Sequence, residues 1–134
     1  MKISNEIINI VPEIKKWRHQ LHAHPELGYE EEWTSNFVAE KLESFGLEIH
    51  RGLGKTGIVG VLKGLDPSLG GGGNKAIGLR ADMDALPMTE DNDFSYKSKF
   101  DGRMHACGHD GHTAMLLGAA KLLSLKNDFN GTVY

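Results

Sequence analysis

The chemistry of this chain is concentrated in residues 104–112, which hold its only cysteine, three histidines and an acid. Cys107 and His109 are separated by one glycine, so in an extended or loop backbone both side chains can point toward the same ion. A thiolate and a neutral imidazole are good ligands for zinc or a similar divalent metal. Because two ligands do not complete such a site, this segment predicts half of a metal centre.

Two other interpretations of Cys107 fit the same residues. A lone cysteine is usually a buried thiol, with His109 then a surface histidine. A thiol activated by His105 or His109 would be a nucleophile or a redox sensor, although the chain has no second cysteine to resolve a disulfide. The flanking glycines, and a predicted helix just downstream whose amino-terminal dipole favours anionic groups, favour metal binding.

A pair of acids provides a second candidate site. Asp82 and Asp84 follow residues 76–81, an apolar segment that predicts a buried, parallel strand. Open α/β sheets build their sites at the carboxyl ends of such strands, where a carboxylate can orient a metal-bound histidine or hold a water. Aspartate is also common in turns and helix caps, so the spacing alone leaves both roles open.

The histidines of the amino-terminal helix are weaker candidates. His19 and His22 have helical spacing, but they share their segment with Lys15 and Arg18. Histidines in such a setting are more often solvated or packed than bound to a metal. We therefore expect no metal site at His19 and His22.

Periodicity and glycine positions predict an α/β chain that forms a single domain. The first helix has Pro12 in its first turn and ends near His22, and the second is stopped by Gly46. The glycine run at 70–73 lacks the Lys-Ser/Thr ending of a phosphate-binding loop and predicts a turn. The predicted helices cover residues 12–22, 31–45 and 113–123, and the predicted strands cover 47–50, 57–62, 76–81 and 132–134.

Composition excludes several classes of protein. Apolar residues make up 40% and charged residues 25% of the chain, which is ordinary for a globular domain. The net charge of −3 comes from interspersed charges without a basic stripe, so we expect no nucleic-acid partner. The longest apolar stretch is about half of the ~20 residues that a membrane span needs, so we expect no membrane partner. With no visible export signal, we expect the protein in the cytoplasm.

Three segments together resemble the amidohydrolases of the M20 metallopeptidase family. They are RHQLHAHPELG at 18–28, GLRADMDALP at 78–87 and MHACGHDGHT at 104–113. Their order and spacing also match those of the family, and residues 55–62 and 96–99 are similar to members of the hippurate hydrolase type. The resemblance implies part of a zinc-exopeptidase-like catalytic domain with a mixed β-sheet flanked by helices. It implies hydrolysis of the amide bond of small N-acyl amino acids such as hippurate.

The resemblance also implies roles for individual residues. The cysteine matching Cys107 bridges two metal ions, which are zinc, manganese, cobalt or nickel, and the histidine matching His109 binds one of them. The acid matching Asp84 lies beside the metals as a supporting residue. The metals polarise the amide carbonyl, and a glutamate moves a proton from water to the leaving amine.

That glutamate is absent from this chain, which we expect to be incomplete at its carboxyl terminus. In the family the strand at 131–134 continues into a Glu-Glu pair, and two further histidine ligands and a lid or dimerisation domain follow. Residues 1–134 are thus expected to be the amino-terminal part of the catalytic domain of a homo-oligomeric enzyme, with little activity alone. Two alternatives stay open: a non-catalytic fragment or partner-binding remnant, and another M20 peptidase or deacylase.

Overall fold

Three helices and four short strands make up the computed structural model, which describes residues 3–64 and 75–134. The glycine run at 70–73 lies outside the described residues. The mixture of helices and strands confirms the predicted α/β class. In chain order the elements are α1 (Asn5–His22), α2 (Glu32–Ser44), β1 (Glu48–Leu53), β2 (Gly57–Lys63), β3 (Ala76–Ile77), α3 (His109–Lys126) and β4 (Thr132–Val133).

The strands form one mixed sheet in the order β1-β2-β4-β3. β1 and β2 are an antiparallel hairpin, β2 and β4 are antiparallel, and β3 and β4 are parallel. A Cβ added at Gly60 of β2 would lie 3.0 Å from Leu47 and 3.2 Å from Leu42 of α2. The glycine therefore lets α2 approach the sheet closely, as the glycine-bounded strands predict.

The strand predicted over residues 76–81 differs from the structure in length and burial. β3 has only two residues, and Ile77 and Leu79 are 57% and 41% exposed. β3 pairs with β4, and this ladder ends where the Leu79 N–H donates to the carbonyl oxygen of Tyr134 at 2.8 Å. Residues 80–84 have no ladder partner among the described residues. The predicted parallel direction is correct, but the predicted burial is wrong.

α1 begins earlier than Pro12 predicts. Ser4 caps the helix, its hydroxyl accepting the N–H of Ile7 at 3.4 Å, and Pro12 lies inside the helix. Proline has no N–H for the carbonyl of Ile8, one turn earlier. Both residues are exposed, so water can satisfy that carbonyl. The helix ends at His22, as predicted.

α2 and α3 surround the core together with α1. α2 ends at Ser44, and Gly46 has a left-handed φ of 84°, so the predicted second helix is confirmed. α3 confirms the predicted buried helix but starts at His109, four residues earlier than expected. Among the described residues, no helix has the length and hydrophobicity to cross a membrane. The buried core cluster consists of Trp17, Leu21, Phe37, Val38, Ala114 and Leu117.

Candidate metal centre

The three motif segments, which are far apart in the sequence, meet in the structure. Leu27 forms a parallel bridge with Ala85, whose N–H donates to the carbonyl oxygen of Glu26 at 2.7 Å. The segment that carries Asp82 and Asp84 is called the acidic loop. On its other side this loop pairs through Leu86 with Met104, and two backbone hydrogen bonds of 2.9 and 3.0 Å join these two residues. The acidic loop is thus held between the other two segments.

His109 and Asp84 form the centre of this arrangement. The Nδ1 atom of His109 lies 2.9 Å from Oδ1 of Asp84 and 3.0 Å from its backbone carbonyl oxygen. Both partners are acceptors, so Nδ1 carries the proton, and Nε2 then keeps the lone pair that a metal ion requires. A carboxylate behind a histidine in this way is the usual support of a histidine ligand.

Cys107 lies just before this histidine and is an exposed, free cysteine. Its exposure contradicts the interpretation as a buried thiol. Gly108 between them has a left-handed φ of 92° and forms the amino-terminal cap of α3. His109 is therefore the first residue of a helix, and the expected continuous extended or loop backbone across Cys107 and His109 is wrong. A thiolate at Cys107 would still lie next to the positive end of the α3 dipole.

These two residues form only a partial donor set. Within residues 3–64 and 75–134, no cluster of three or more His, Cys, Asp or Glu side chains has a geometry that could hold a metal ion. An accessible thiol and a carboxylate-supported imidazole nevertheless have the donor chemistry that zinc and related ions prefer. The donor chemistry of the described residues is compatible with half of a metal centre, and the ligand roles of Cys107 and His109 stay predictions.

Asp82, the other acid of the candidate pair, has a different side-chain partner. Asp82 forms an ion pair with Arg80, whose side chain is 84% exposed. Its backbone carbonyl oxygen accepts the hydroxyl of Thr113 in α3 at 3.0 Å. The structure therefore brings Asp84, but not the side chain of Asp82, to His109.

The histidines of α1 have two different environments. His19 stacks on the ring of Tyr96 with centroids 3.6 Å apart, as a packed histidine. His22 is 3% exposed, with Nδ1 2.8 Å from Oδ2 of Asp110 and Nε2 2.9 Å from Oε1 of Glu90. Both ring nitrogens are engaged, so His22 has none left for a metal ion.

Sequence reasoning missed the two carboxylates that hold His22. Asp110 is 1% exposed, and its Oδ2 also accepts the Nε–H of Arg18 at 3.1 Å. Burial alone would raise the pKa of Glu90, but hydrogen bonds from His22, the Ser98 N–H and Asn92 outweigh it and lower that pKa. The place of Asp110 in the first turn of α3 was a usable signal, because acids favour helix amino termini. Nothing in the local sequence marks Glu90.

His105 is the remaining buried histidine of this region. It is 5% exposed, and neither ring nitrogen has a hydrogen-bond partner among the described residues. Burial lowers the pKa of His105, and the neighbouring imidazoles of His22 and His109 lower it further, against the opposite effect of Asp110 and Asp84. The lowered pKa favours the neutral form of the ring.

Comparison with known protein families identifies the class of protein. Residues 78–134 match the model of Peptidase family M20/M25/M40, and the chain belongs to this family.

The similarity to individual proteins extends along nearly the whole chain. It is 52% identical over 133 residues to the hippurate hydrolase of Campylobacter jejuni, covering 99% of this chain and 33% of that protein. It is 50% identical over 134 residues to an N-acyl-L-amino acid amidohydrolase of Geobacillus stearothermophilus, covering 96% and 34%. The YXEP protein of Bacillus subtilis, a dinuclear metal binding peptidase of the M20 family, superposes with a TM-score of 0.84 at 38% identity, covering 94% and 34%. The chain spans about a third of the length of these relatives.

Proposed function

We propose that the full-length gene product carrying this chain is a metal-dependent amidohydrolase of N-acyl amino acids such as hippurate. Residues 1–134 form the amino-terminal part of its catalytic domain. Cys107 and His109 are metal ligands, and Asp84 supports His109. The remaining ligands and the general base come from outside this sequence.

The contact between His109 and Asp84 carries this proposal. A carboxylate oxygen 2.9 Å from Nδ1 fixes both the tautomer and the direction of the imidazole, and this increases its basicity as a ligand. The same Asp84 lies in the acidic loop that is held between the other two motif segments. Two relatives with about half of their aligned residues identical are hydrolases of N-acyl amino acids by name.

The residues of this chain have defined tasks in that reaction. Cys107 and His109 would hold the metal, and Asp84 keeps the proton on Nδ1, which leaves the lone pair of Nε2 available for a ligand bond. A divalent metal supplies Lewis-acid polarisation of the substrate amide carbonyl. Burial lowers the pKa of His105, which favours a neutral ring beside the proposed metal ligands.

Hydrolysis of hippurate by the full-length gene product tests the proposal. The protein is freed of metal with a chelator and reloaded with Zn²⁺, Mn²⁺, Co²⁺ or Ni²⁺, and released glycine is measured. We expect activity that depends on added metal. A Cys107→Ser variant should lose bound metal and at least about 100-fold of the activity, since weakening the metal site removes the polarisation of the carbonyl.

The matched control is His50→Gln, which replaces an exposed histidine of β1 that pairs only with Glu48. This variant should keep the metal content and rate of the original protein. The proposal is overturned if the metal-loaded protein releases no amino acid from any of a panel of N-acyl amino acids. It is also overturned if Cys107→Ser and His50→Gln bind the same amount of metal.

A further inference from the structure

A group of polar and charged side chains, buried except for Arg18, joins α1 to the first turn of α3, directly after the proposed metal ligands. Asp110, the residue after His109, is 1% exposed, and one of its oxygens accepts from both His22 and Arg18. His22 in turn contacts Glu90. We call Arg18, His22, Glu90 and Asp110 the α1–α3 anchor.

The members of the α1–α3 anchor hold one another through the ring of His22. The hydrogen bonds that lower the pKa of Glu90 include the one to His22, whose Nε2 lies 2.9 Å from Oε1. Oδ2 of Asp110 lies 2.8 Å from Nδ1 of the same ring, so a carboxyl group lies at each ring nitrogen. Displacing one partner of a buried ion pair is strongly destabilising, because the other partner then stays buried without compensation. The anchor therefore fixes Asp110 in position.

The segment before Asp110 needs such an anchor. Gly108 has a left-handed φ, and a Cβ added there would meet no atom within 4 Å, so the space on the Cβ side of this residue is open. On the amino-terminal side, the last backbone pairing is that of Met104 with Leu86. On the carboxyl-terminal side, the first buried side chain is that of Asp110, whose Oδ2 is bound by His22 and Arg18. The orientation of Cys107 relative to His109 thus depends on how rigidly the first turn of α3 is held in place.

We infer that Asp110, held by His22 and Arg18, is a positioning residue that sets the geometry of the Cys107–His109 ligand pair. The inference rests on the proposed function, because it assigns a task to residues next to the proposed ligands. It gives the paired histidine and arginine of α1 a role in the metal centre without direct contact to the metal.

The chain contains a matched control for this inference. Lys121 of α3 and Glu13 of α1 form a second ion pair between the same two helices, with Nζ 2.6 Å from Oε2. Glu13→Gln removes that α1–α3 link at a distance along both helices from Cys107 and His109. Asp110→Asn and His22→Gln remove the link that lies next to them.

The first measurement needs no metal. In the metal-free full-length gene product, hydrogen exchange is followed at the backbone amide of His112, which donates to the carbonyl oxygen of Gly108 at 3.0 Å and closes the first turn of α3. We expect at least about 10-fold faster exchange in Asp110→Asn and no change in Glu13→Gln. Equal exchange in both variants overturns the inference, even if the protein is an amidohydrolase.

The second measurement is the affinity for Co²⁺, read from the cobalt–thiolate absorption of Cys107. Loss of an outer-shell partner costs about 10–100-fold in metal affinity, so we expect that loss in Asp110→Asn and His22→Gln. Glu13→Gln should bind as the original protein does, and Arg18→Lys, which keeps a charged donor, should bind more tightly than Arg18→Gln. Normal cobalt affinity in Asp110→Asn overturns the inference. Absence of cobalt binding in the original protein instead overturns the proposed function together with it.

Discussion

The imidazole of His109 is held by Asp84 through two acceptors at once, the carboxylate at 2.9 Å and the backbone carbonyl at 3.0 Å. The two residues are 25 positions apart in the chain. Their contact joins the acidic loop to the first residue of α3. It therefore connects two distant segments and also fixes the tautomer of the His109 imidazole.

Asp84→Asn should weaken metal binding without unfolding the protein. The amide has nearly the same size as the carboxylate but removes its negative charge, which lowers the basicity of His109 as a ligand. We expect about 10–100-fold lower metal affinity in the full-length gene product, measured by competition with a chromophoric chelator. Asp82→Asn is the control, because Asp82 pairs with the exposed Arg80 instead. Equal losses in the two variants would contradict the assigned role of Asp84.

Glu26 should stabilise α2 as a remote amino-terminal cap. Its carboxylate accepts the N–H groups of Trp33 and Thr34 at 3.0 and 2.7 Å, while Glu31 at the cap position makes no such bond. Glu26→Ala leaves these two donors unpaired, and we expect a loss of about 1–2 kcal/mol in the free energy of unfolding, measured in urea.

The comparison for Glu26 is Glu30, a nearby acid in an exposed ion pair with Arg103. Glu30→Ala should cost less than about 1 kcal/mol, because exposed pairs contribute little. A loss in Glu30→Ala as large as that in Glu26→Ala would show that Glu26 acts as a general surface charge and not as a cap.

Gly118 should be needed where α3 crosses α1. A Cβ added there would overlap the terminal methyl carbon Cδ1 of Ile14 and would lie 2.9 Å from its Cγ1. Alanine gains about 1 kcal/mol of helix propensity over glycine, whereas overpacking costs about 1–3 kcal/mol. Gly118→Ala should therefore be neutral or destabilising by up to about 2 kcal/mol in thermal unfolding.

The double variant Gly118→Ala, Ile14→Val tests the cause of that loss. Valine removes the terminal methyl of Ile14 and makes room for the alanine Cβ. We expect the double variant to be more stable than the sum of the two single changes predicts. Strict additivity would show that the two residues are not in contact.

His19 should titrate below its ordinary pKa of 6.5. Burial beneath Tyr96 lowers the pKa most, and the positive charges of Lys15, Arg18 and His22 lower it further, while Asp110 of α3 opposes them. The contribution of the neutral ring to stability is thus present above pH 6.5 and is lost as the pH falls through the lower folded-state value.

A proton NMR titration of His19 measures this shift. Lys15→Gln removes one of the repelling charges and should raise the pKa of His19 toward 6.5. Lys16→Gln removes a charge that does not contribute to the shift and should leave the pKa unchanged. Equal changes in the pKa of His19 in the two variants would show that the overall charge of the protein sets this pKa, and not the proximity of Lys15.

The local parts of this structure could be predicted from the sequence, and the contacts between distant segments could not. α2 and its stop at Gly46 follow from an apolar stripe and a glycine. The predicted start of α1 at Pro12 was too late, because proline is common in the first turn of a helix. The true cap, Ser4, could not be identified from its residue type alone, since capping depends on backbone geometry.

The candidate site shows the same division. Cys107 and His109 were identifiable from residue type and spacing, because ligand chemistry is local. The contact of His22 with Asp110 spans 88 positions. No pattern in either segment specifies such a partner, since it depends on how α1 and α3 pack. β3 is also exposed, although its apolar sequence predicted a buried strand, because burial depends on what packs against a strand and not on its own residues.

The 134-residue polypeptide by itself should hydrolyse hippurate at least about 100-fold more slowly than the full-length gene product, because acid–base catalysis alone contributes about 10²–10⁴-fold. Its described residues contain no complete metal cluster, so Cys107 and His109 should bind Zn²⁺ weakly as a pair. Both proteins are assayed with saturating Zn²⁺ and equal molar concentration, and the Cys107→Ser form of the 134-residue polypeptide gives the background. A rate for the 134-residue polypeptide equal to that of the gene product would mean that residues 1–134 hold a general base that the structure does not reveal.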